Sequence, residues 1–457
     1  MQNQWKGILL LAAIAAVSAL AGGVLHAVMS SGGSSASETT PDADRTASSD
    51  VDSADPRPNR SRDAKPNDKA DKGNQGDSPM NALFGGGGGK SRPDVLAEFH
   101  IAEGAKRLAY ANASSGLPTV GEWRGRPALG DMDGDGNLDI VCSVRKGDGL
   151  HVYYGDGKGN WSERGEPFPS NLGYGGSDIG DFNNDGFLDI VFATHGAPAM
   201  IYLGDGAAGF TKSIEGCENR QILQDVTVND FDGDGNADIA AIGWAHGGRV
   251  MIYGDGTGKW ETVDLFPGDD EEFGHEIESG DVDGDGNMDI VVTMGGPKVF
   301  LGDGQRGFRP ANRALPVPLT TGTNFGIAVG DVTGDGTLEM AVCFTAMEGM
   351  RGLAVYDQEE NGAWTSISMG LPLDTSFIDA EFADMDGDGV LDLVAFANHN
   401  LLIWRGDGGK TWTPIGQVGD MGKAADLAVG DLNGDGQQDV VVIQRHGVAG
   451  VAALLKR

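Results

Sequence analysis

The chain predicts an all-β fold, a propeller of seven blades, and three observations in the sequence carry that prediction. A nine-residue pattern, Asp-x-Asp-Gly-Asp-Gly-x-x-Asp with substitutions, starts at Asp131, Asp181, Asp230, Asp281, Asp331, Asp384 and Asp431, at spacings of 50, 49, 51, 50, 53 and 47 residues. A second marker, Gly-Asp-Gly, follows at Gly155, Gly204, Gly254, Gly302 and Gly406, and Asp357-Gln358-Glu359 takes its place in the fifth copy. Each unit also reads as four short strands. A small apolar run such as Ile327-Ala328-Val329 enters the Asp loop and a β-branched run such as 289–293 leaves it. A third strand such as 151–154 runs into the Gly-Asp-Gly turn, and a fourth starts near Trp161, Phe210, Trp260, Phe308, Trp364 or Trp412. Four strands in about 50 residues make one propeller blade.

The elements follow in chain order. Residues 7–29 carry no charge apart from His26 and are long enough to cross a bilayer, while Ala19-Leu20-Ala21 follows an apolar run in the manner of a signal cleavage site. Residues 1–29 are therefore expected to be either a cleaved signal peptide or an N-terminal membrane anchor, and either places the remainder outside the cytoplasm, secreted or tethered. Residues 30–92 are rich in Ser, Asp, Pro and Gly and end in Gly85 to Gly89, so they are expected to form a disordered linker that cannot bury enough surface to offset chain entropy. Residues 93–457 hold the propeller. Its seventh unit has room for only three strands, so the apolar segment 95–101 is expected to supply the fourth and close the ring.

Charge narrows the chemistry. The chain of 457 residues has a formal charge of -35, which excludes nucleic acid as a natural partner because phosphate binding needs a basic footprint. Its three cysteines, Cys142, Cys217 and Cys343, are too few and too scattered for a disulfide framework. The acidic excess falls in the repeats, where positions 1, 3, 5 and 9 of each loop are hard oxygen donors. These are Asp131, Asp133, Asp135 and Asp139; Asp181, Asn183, Asp185 and Asp189; Asp230, Asp232, Asp234 and Asp238; and Asp281, Asp283, Asp285 and Asp289. The later loops carry Asp331, Thr333, Asp335 and Glu339; Asp384, Asp386, Asp388 and Asp392; and Asp431, Asn433, Asp435 and Asp439. Calcium takes six to eight such oxygens, and glycines at positions 4 and 6 allow the positive φ that a chain wrapping an ion requires. Two carboxylates about 5 Å apart repel by about 3 kcal/mol at an effective dielectric of 20, so up to seven calcium ions are expected as part of the fold. The fifth loop, with Thr333 and Glu339, is expected to bind most weakly.

Rival readings fail on spacing. A hairpin turn needs only an Asp-Gly pair, an EF-hand needs Glu at position 12 between helices, and calcium-binding β-helices repeat every nine residues. With their trailing Gly-Asp-Gly turns, the seven loops resemble the FG-GAP or VCBS repeat family, related to the propeller of integrin alpha subunits, over nearly all of residues 93–457. The resemblance implies a calcium-braced extracytoplasmic propeller used for binding, adhesion or as a module beside enzymes.

A ligand is expected on the face opposite the calcium loops, where turns and connections carry His195, Trp244, His246, His275, His399, Arg445 and His446. A ring of these groups could stack on and hydrogen-bond a glycan or protein ligand; the same residues also read as ordinary polar turns. No G-x-S-x-G, H-E-x-x-H or P-loop pattern occurs, so the chain is read as a binding module and not as an enzyme. A polysaccharide lyase or hydrolase on the same scaffold, and a structural spacer, are the alternatives. Arg405-Gly406-Asp407 spells an adhesion tripeptide but coincides with a repeated turn.

Overall fold

A computed structural model describes residues 108–457 except 146–148, 166–167, 170–172, 195–197, 216, 218–222, 244–247, 266–273, 316–323, 348–349, 374, 398, 420 and 447–449. The export segment 1–29, the linker 30–92 and the segment 95–101 lie outside the described residues. Among the described residues no helix is long and apolar enough to cross a membrane.

The described residues form seven antiparallel sheets of four strands each. Six sheets pair consecutive strands in simple up-and-down order, the register expected when short turns join neighbouring strands. The first strand of each sheet lies next to the first strand of the following one: β2 (Ala128–Gly130), β6 (Ser177–Gly180), β10 (Leu223–Asn229), β14 (Gly274–Gly280), β18 (Asn324–Gly330), β22 (Asp379–Ala383) and β26 (Lys423–Gly430). These seven close a circle, with β26 meeting β2, and so surround the axis of a seven-bladed propeller. As the sequence predicts, fourth strands open on Trp161, Phe210, Trp260, Phe308, Trp364 and Trp412.

The ring closes through the expected device but with a different segment. The seventh sheet runs β26, β27 (Asp439–His446), β28 (Val451–Lys456) and then β1 (Tyr110–Asn112), with Tyr110 opposite Lys456 and Asn112 opposite Leu454. The closing strand is thus 110–112, not 95–101. Its sequence, Tyr-Ala-Asn, has no apolar alternation, because the pairing is made by main-chain groups that any residues supply.

Apolar side chains are buried between blades, not at the axis. Seven clusters of buried residues each join two successive blades; one, containing Trp123, Ile140, Cys142, Val441, Ile443 and Ala453, joins the last blade to the first. Position 2 of every Asp loop belongs to this layer: Met132, Phe182, Phe231, Val282, Val332, Met385 and Leu432 are all at most 3% exposed. Each loop is therefore anchored by one apolar residue in an inter-blade core, while positions 1 and 3 are half-buried and position 5 is exposed. The fourth-strand tryptophans tie blades together as well; the indole N–H groups of Trp161, Trp364 and Trp412 donate to Ala113 O, Ala311 O and Ile367 O at 2.8 Å.

Candidate metal centres and an axial chamber

All seven loops share one hydrogen-bond scheme. The carboxylate at position 1 accepts the N–H of position 6, from Gly136 to Asp131 at 2.8 Å through Gly436 to Asp431 at 2.7 Å. The carboxylate at position 5 accepts the N–H of position 7, as in Asn137 to Asp135 at 2.9 Å. Glycines at positions 4 and 6 adopt positive φ as the spacing predicts, for example 72° at Gly134 and 88° at Gly136. In the second loop Asn184 fills position 4 at φ 58°, a conformation asparagine tolerates better than most residues.

Position 9 does more than its place in the motif suggests. Asp139, Asp189, Asp238, Asp289, Glu339, Asp392 and Asp439 are fully buried. One oxygen accepts the N–H of position 2, at 2.7 to 3.0 Å. In five blades the other accepts the N–H of the first glycine in the Gly-Asp-Gly marker, and in the seventh blade that of Lys456. A Cβ at Gly155 would stand 2.5 Å from Leu138 O, which explains why glycine opens the marker. The marker's aspartate is a turn former: Asp156 accepts the Asn160 side-chain amide at 2.8 Å and the main-chain N–H groups of Asn160 and Lys158 at 3.0 and 2.8 Å, which together hold its carboxyl below the usual range. Gly406 and Asp407 are held in the same way, so Arg405-Gly406-Asp407 is one more copy of this turn.

Two observations test whether the loops suit a metal ion. Three carboxylate oxygens lie within 4.8 Å of one another in the groups Asp131-Asp133-Asp139, Asp230-Asp232-Asp234, Asp281-Asp283-Asp285 and Asp384-Asp386-Asp392. Within the same loops the buried Oδ1 atoms of Asp133, Asp281 and Asp283 have no hydrogen-bond partner, a costly state that a cation would relieve. The residues fit a cation. In the second, fifth and seventh loops Asn183, Thr333 and Asn433 replace an acid at position 3. Arginines also reach position 3: Arg164 bonds Asp133 at 2.5 Å and Arg306 bonds Asp232 at 2.8 Å, each stacked on a tyrosine, Tyr154 or Tyr253.

The axis itself is lined with acids. Five and three residues before each loop, the inner strands present Arg126, Asp225, Glu276, Asp379 and Asp426 in an upper ring and Asp178, Glu278 and Glu381 in a lower one. Several of these carboxylates link their blade to the next by accepting a main-chain N–H from its inner strand or, at Gly125, from the segment leading into it. Asp178 takes Val228 at 2.9 Å, Asp225 takes Ile277 at 3.1 Å, Glu276 takes Ile327 at 2.8 Å, Asp379 takes Leu427 at 2.7 Å and Asp426 takes Gly125 at 2.9 Å. An inner strand is a sheet edge with unpaired N–H groups, and the carboxylates satisfy them. Arg126 crosses the axis from the first blade to pair with Glu278 of the fourth. Burial, reinforced by neighbouring carboxylates, drives Glu276 and Asp379 well above the usual carboxylate range.

Where the inner strands begin, on the face opposite the Asp loops, lies a chamber of about 30 Å³ bordered by Arg124, Gln224, Asp225, His275, Glu276 and Asp426. The Arg124 guanidinium stands 5.1 Å from the Tyr174 ring centroid and Arg145 stands 5.7 Å from it. Of the predicted ligand residues, His275 is 6% exposed and borders this chamber, whereas His399 is exposed on a mid-blade turn between β23 (Asp392–Ala397) and β24 (Asn400–Gly406), with φ 74°. Arg445 and His446 end β27, and His195, Trp244 and His246 lie outside the described residues. The axial acids escape a reading of the sequence that takes Ile327-Ala328-Val329 as its example, because that blade has Gly326 and Ala328 where others have acids. Their signal is the alternation Glu276-Ile277-Glu278 and Asp379-Ala380-Glu381.

Fold and loops together define a repeat propeller whose blades each carry an acidic, oxygen-rich loop. The chain belongs to the FG-GAP-like repeat family, whose repeat matches residues 131–192, 181–241, 230–292, 281–342 and 384–442, more than half of the 457 residues. No curated protein matches it in sequence. Among solved structures it is similar to BBS1N in complex with ARL6DN soaked with lead, at 12% identity and a TM-score of 0.53 over 77% of this chain and 97% of that one. The same complex soaked with mercury gives 11% and 0.50 over the same shares. An Agrocybe aegerita lectin whose structure concerns recognition of non-reducing terminal N-acetylglucosamine matches at 17% identity and 0.45, over 69% of this chain and 81% of that one. At these identities the likeness is one of fold.

Proposed function

We propose that the protein is an extracytoplasmic propeller, braced by calcium in its Asp loops, that binds a glycan or protein ligand on the face where the inner strands begin. The oxygen-only donor set, with buried carboxylate oxygens that have no donor, favours calcium over metals that prefer nitrogen or sulfur. The uncharged segment 7–29 supports export, by cleavage or as a tether. The observation that carries the reading of the face is the mouth of the axis, where Tyr174 is flanked by Arg124 and Arg145 beside Gln224, His275 and Glu276. An aromatic plane among donors and acceptors suits a sugar hydroxyl array or a peptide.

The test is a glycan and protein binding screen in millimolar calcium, followed by Tyr174→Ala and Arg145→Ala. Loss of at least tenfold in affinity with an unchanged melting temperature is expected. Binding unaffected by both variants would place the ligand elsewhere, and release of a cleaved product would favour a polysaccharide lyase or hydrolase.

A further inference from the structure

Arginines meet the loops in a pattern that the repeat does not dictate. In the third blade Asp232, at position 3, accepts Arg306 Nε at 2.8 Å through its Oδ2. The same guanidinium reaches Glu261 at 2.9 Å and stands 4.0 Å from the Tyr253 ring centroid. Arg306 itself belongs to the fourth blade, in the turn between β16 (Pro297–Gly302) and β17 (Phe308–Pro310), so one side chain spans two blades. It holds φ at 73°, where the same turn of the first and third blades has Gly159 at 85° and Gly258 at 80°. That left-handed conformation is unfavourable for a residue with a Cβ, and the contacts of the side chain offset it. The first blade builds the same arrangement by another route. Arg164, just after β5 (Trp161–Glu163), bonds Asp133 Oδ2 at 2.5 Å and stands 4.3 Å from the Tyr154 ring centroid. In both loops the guanidinium takes Oδ2 and leaves Oδ1: that of Asp232 accepts the Asp234 N–H at 3.3 Å, and that of Asp133 has no hydrogen-bond partner.

Position 3 is thereby left without net charge in six loops of seven. Asn183, Thr333 and Asn433 are uncharged, Arg164 and Arg306 pair with Asp133 and Asp232, and Arg309 comes within 3.5 Å of Asp283. The sixth loop differs. Among the described residues no basic group pairs with Asp386, and Asp384, Asp386 and Asp392 bring three carboxylate oxygens within 4.8 Å of one another. We propose that Arg164 and Arg306 are built-in counter-cations that weaken divalent-ion binding in the first and third loops, so that the propeller loads metal in a graded order with its sixth loop tighter than these two. On the reading that the loops hold calcium, affinity follows the charge a loop offers, and a guanidinium on one oxygen of a carboxylate repels a divalent ion at the other. The arginines stay when metal is withdrawn. The first and third loops therefore keep a cation under conditions that leave the sixth with none.

The experiment is anomalous diffraction from crystals of the Mn²⁺-loaded protein, back-soaked at stepwise lower free Mn²⁺, with the peak followed at each loop. The sixth loop should keep its peak to lower Mn²⁺ than the first and third. Arg306→Gln removes the charge while a side chain still occupies the positive φ, and in it the third loop should stay filled to about fivefold lower Mn²⁺ than in the wild type. The seventh loop, where Asn433 stands at position 3, should not shift and serves as the internal reference. Peaks in the other loops show that the variant is folded, and Arg306→Lys, which keeps the charge, should restore the wild-type order. A third-loop peak that persists no longer in Arg306→Gln, or a sixth loop that empties together with the first and third, would overturn the proposal while leaving calcium in the loops. No peak in any loop at saturating Mn²⁺ would overturn the calcium reading and the proposal with it.

Discussion

Position 9 shows how much one residue can carry. Its carboxylate is buried, accepts main-chain N–H groups from its own loop and, in six blades, from the third strand's end or its equivalent, and stands beside other acids of its loop. Burial is the largest influence on it, pushing Asp139, Asp189, Asp238, Asp289, Asp392 and Glu339 up to about 7 and Asp439 to about 6. In the metal-free protein the folded state therefore keeps protons that the unfolded chain releases near pH 4. Stability from these groups is complete below about pH 4 and is lost as pH rises through about 7. Metal-free protein should accordingly melt at a lower temperature at about pH 8 than at about pH 5, and calcium should remove most of that difference. Melting curves at both pH values, with and without chelator, check this; a metal-free protein that melts higher at about pH 8 would refute it.

At the scale of elements, what was legible in the sequence was what recurs. Seven Asp loops, the positive-φ glycines and the aromatic starts of the fourth strands all follow from spacing, because side-chain chemistry at fixed offsets dictates them. The closing strand was legible only as a vacancy in the seventh blade. Tyr110–Asn112 fills it by main-chain pairing with β28, and the more apolar run 95–101 is a misleading lure when apolarity is the guide. The axial acids were hidden for a different reason: polar residues on inner strands look like turn chemistry until the ring places them on a shared axis. The closing strand carries its own prediction. Ala111 pairs with Leu455, so Ala111→Pro removes an N–H from that ladder and should cost about 1–3 kcal/mol, read as a lower midpoint in urea unfolding. An unchanged midpoint would mean that β1 contributes nothing to closure.

Across the whole molecule the apolar layers and the charge are segregated. Seven inter-blade clusters hold the sheets together, while carboxylates occupy the loop face and the axis, under a formal charge of -35. Self-repulsion of that size works against a compact ring, and the blades have no disulfide to resist it, since Cys142, Cys217 and Cys343 are all free and buried. On the proposed reading, cations in the loops allow the acidic residues to face one another in a closed circle. The most direct measurement is thermal unfolding of calcium-loaded protein beside protein stripped with chelator at neutral pH. Loaded protein should melt at least about 10 °C higher and resist protease that cuts the stripped form. Superimposable curves and equal protease resistance would contradict the claim that metal in the loops holds the propeller together.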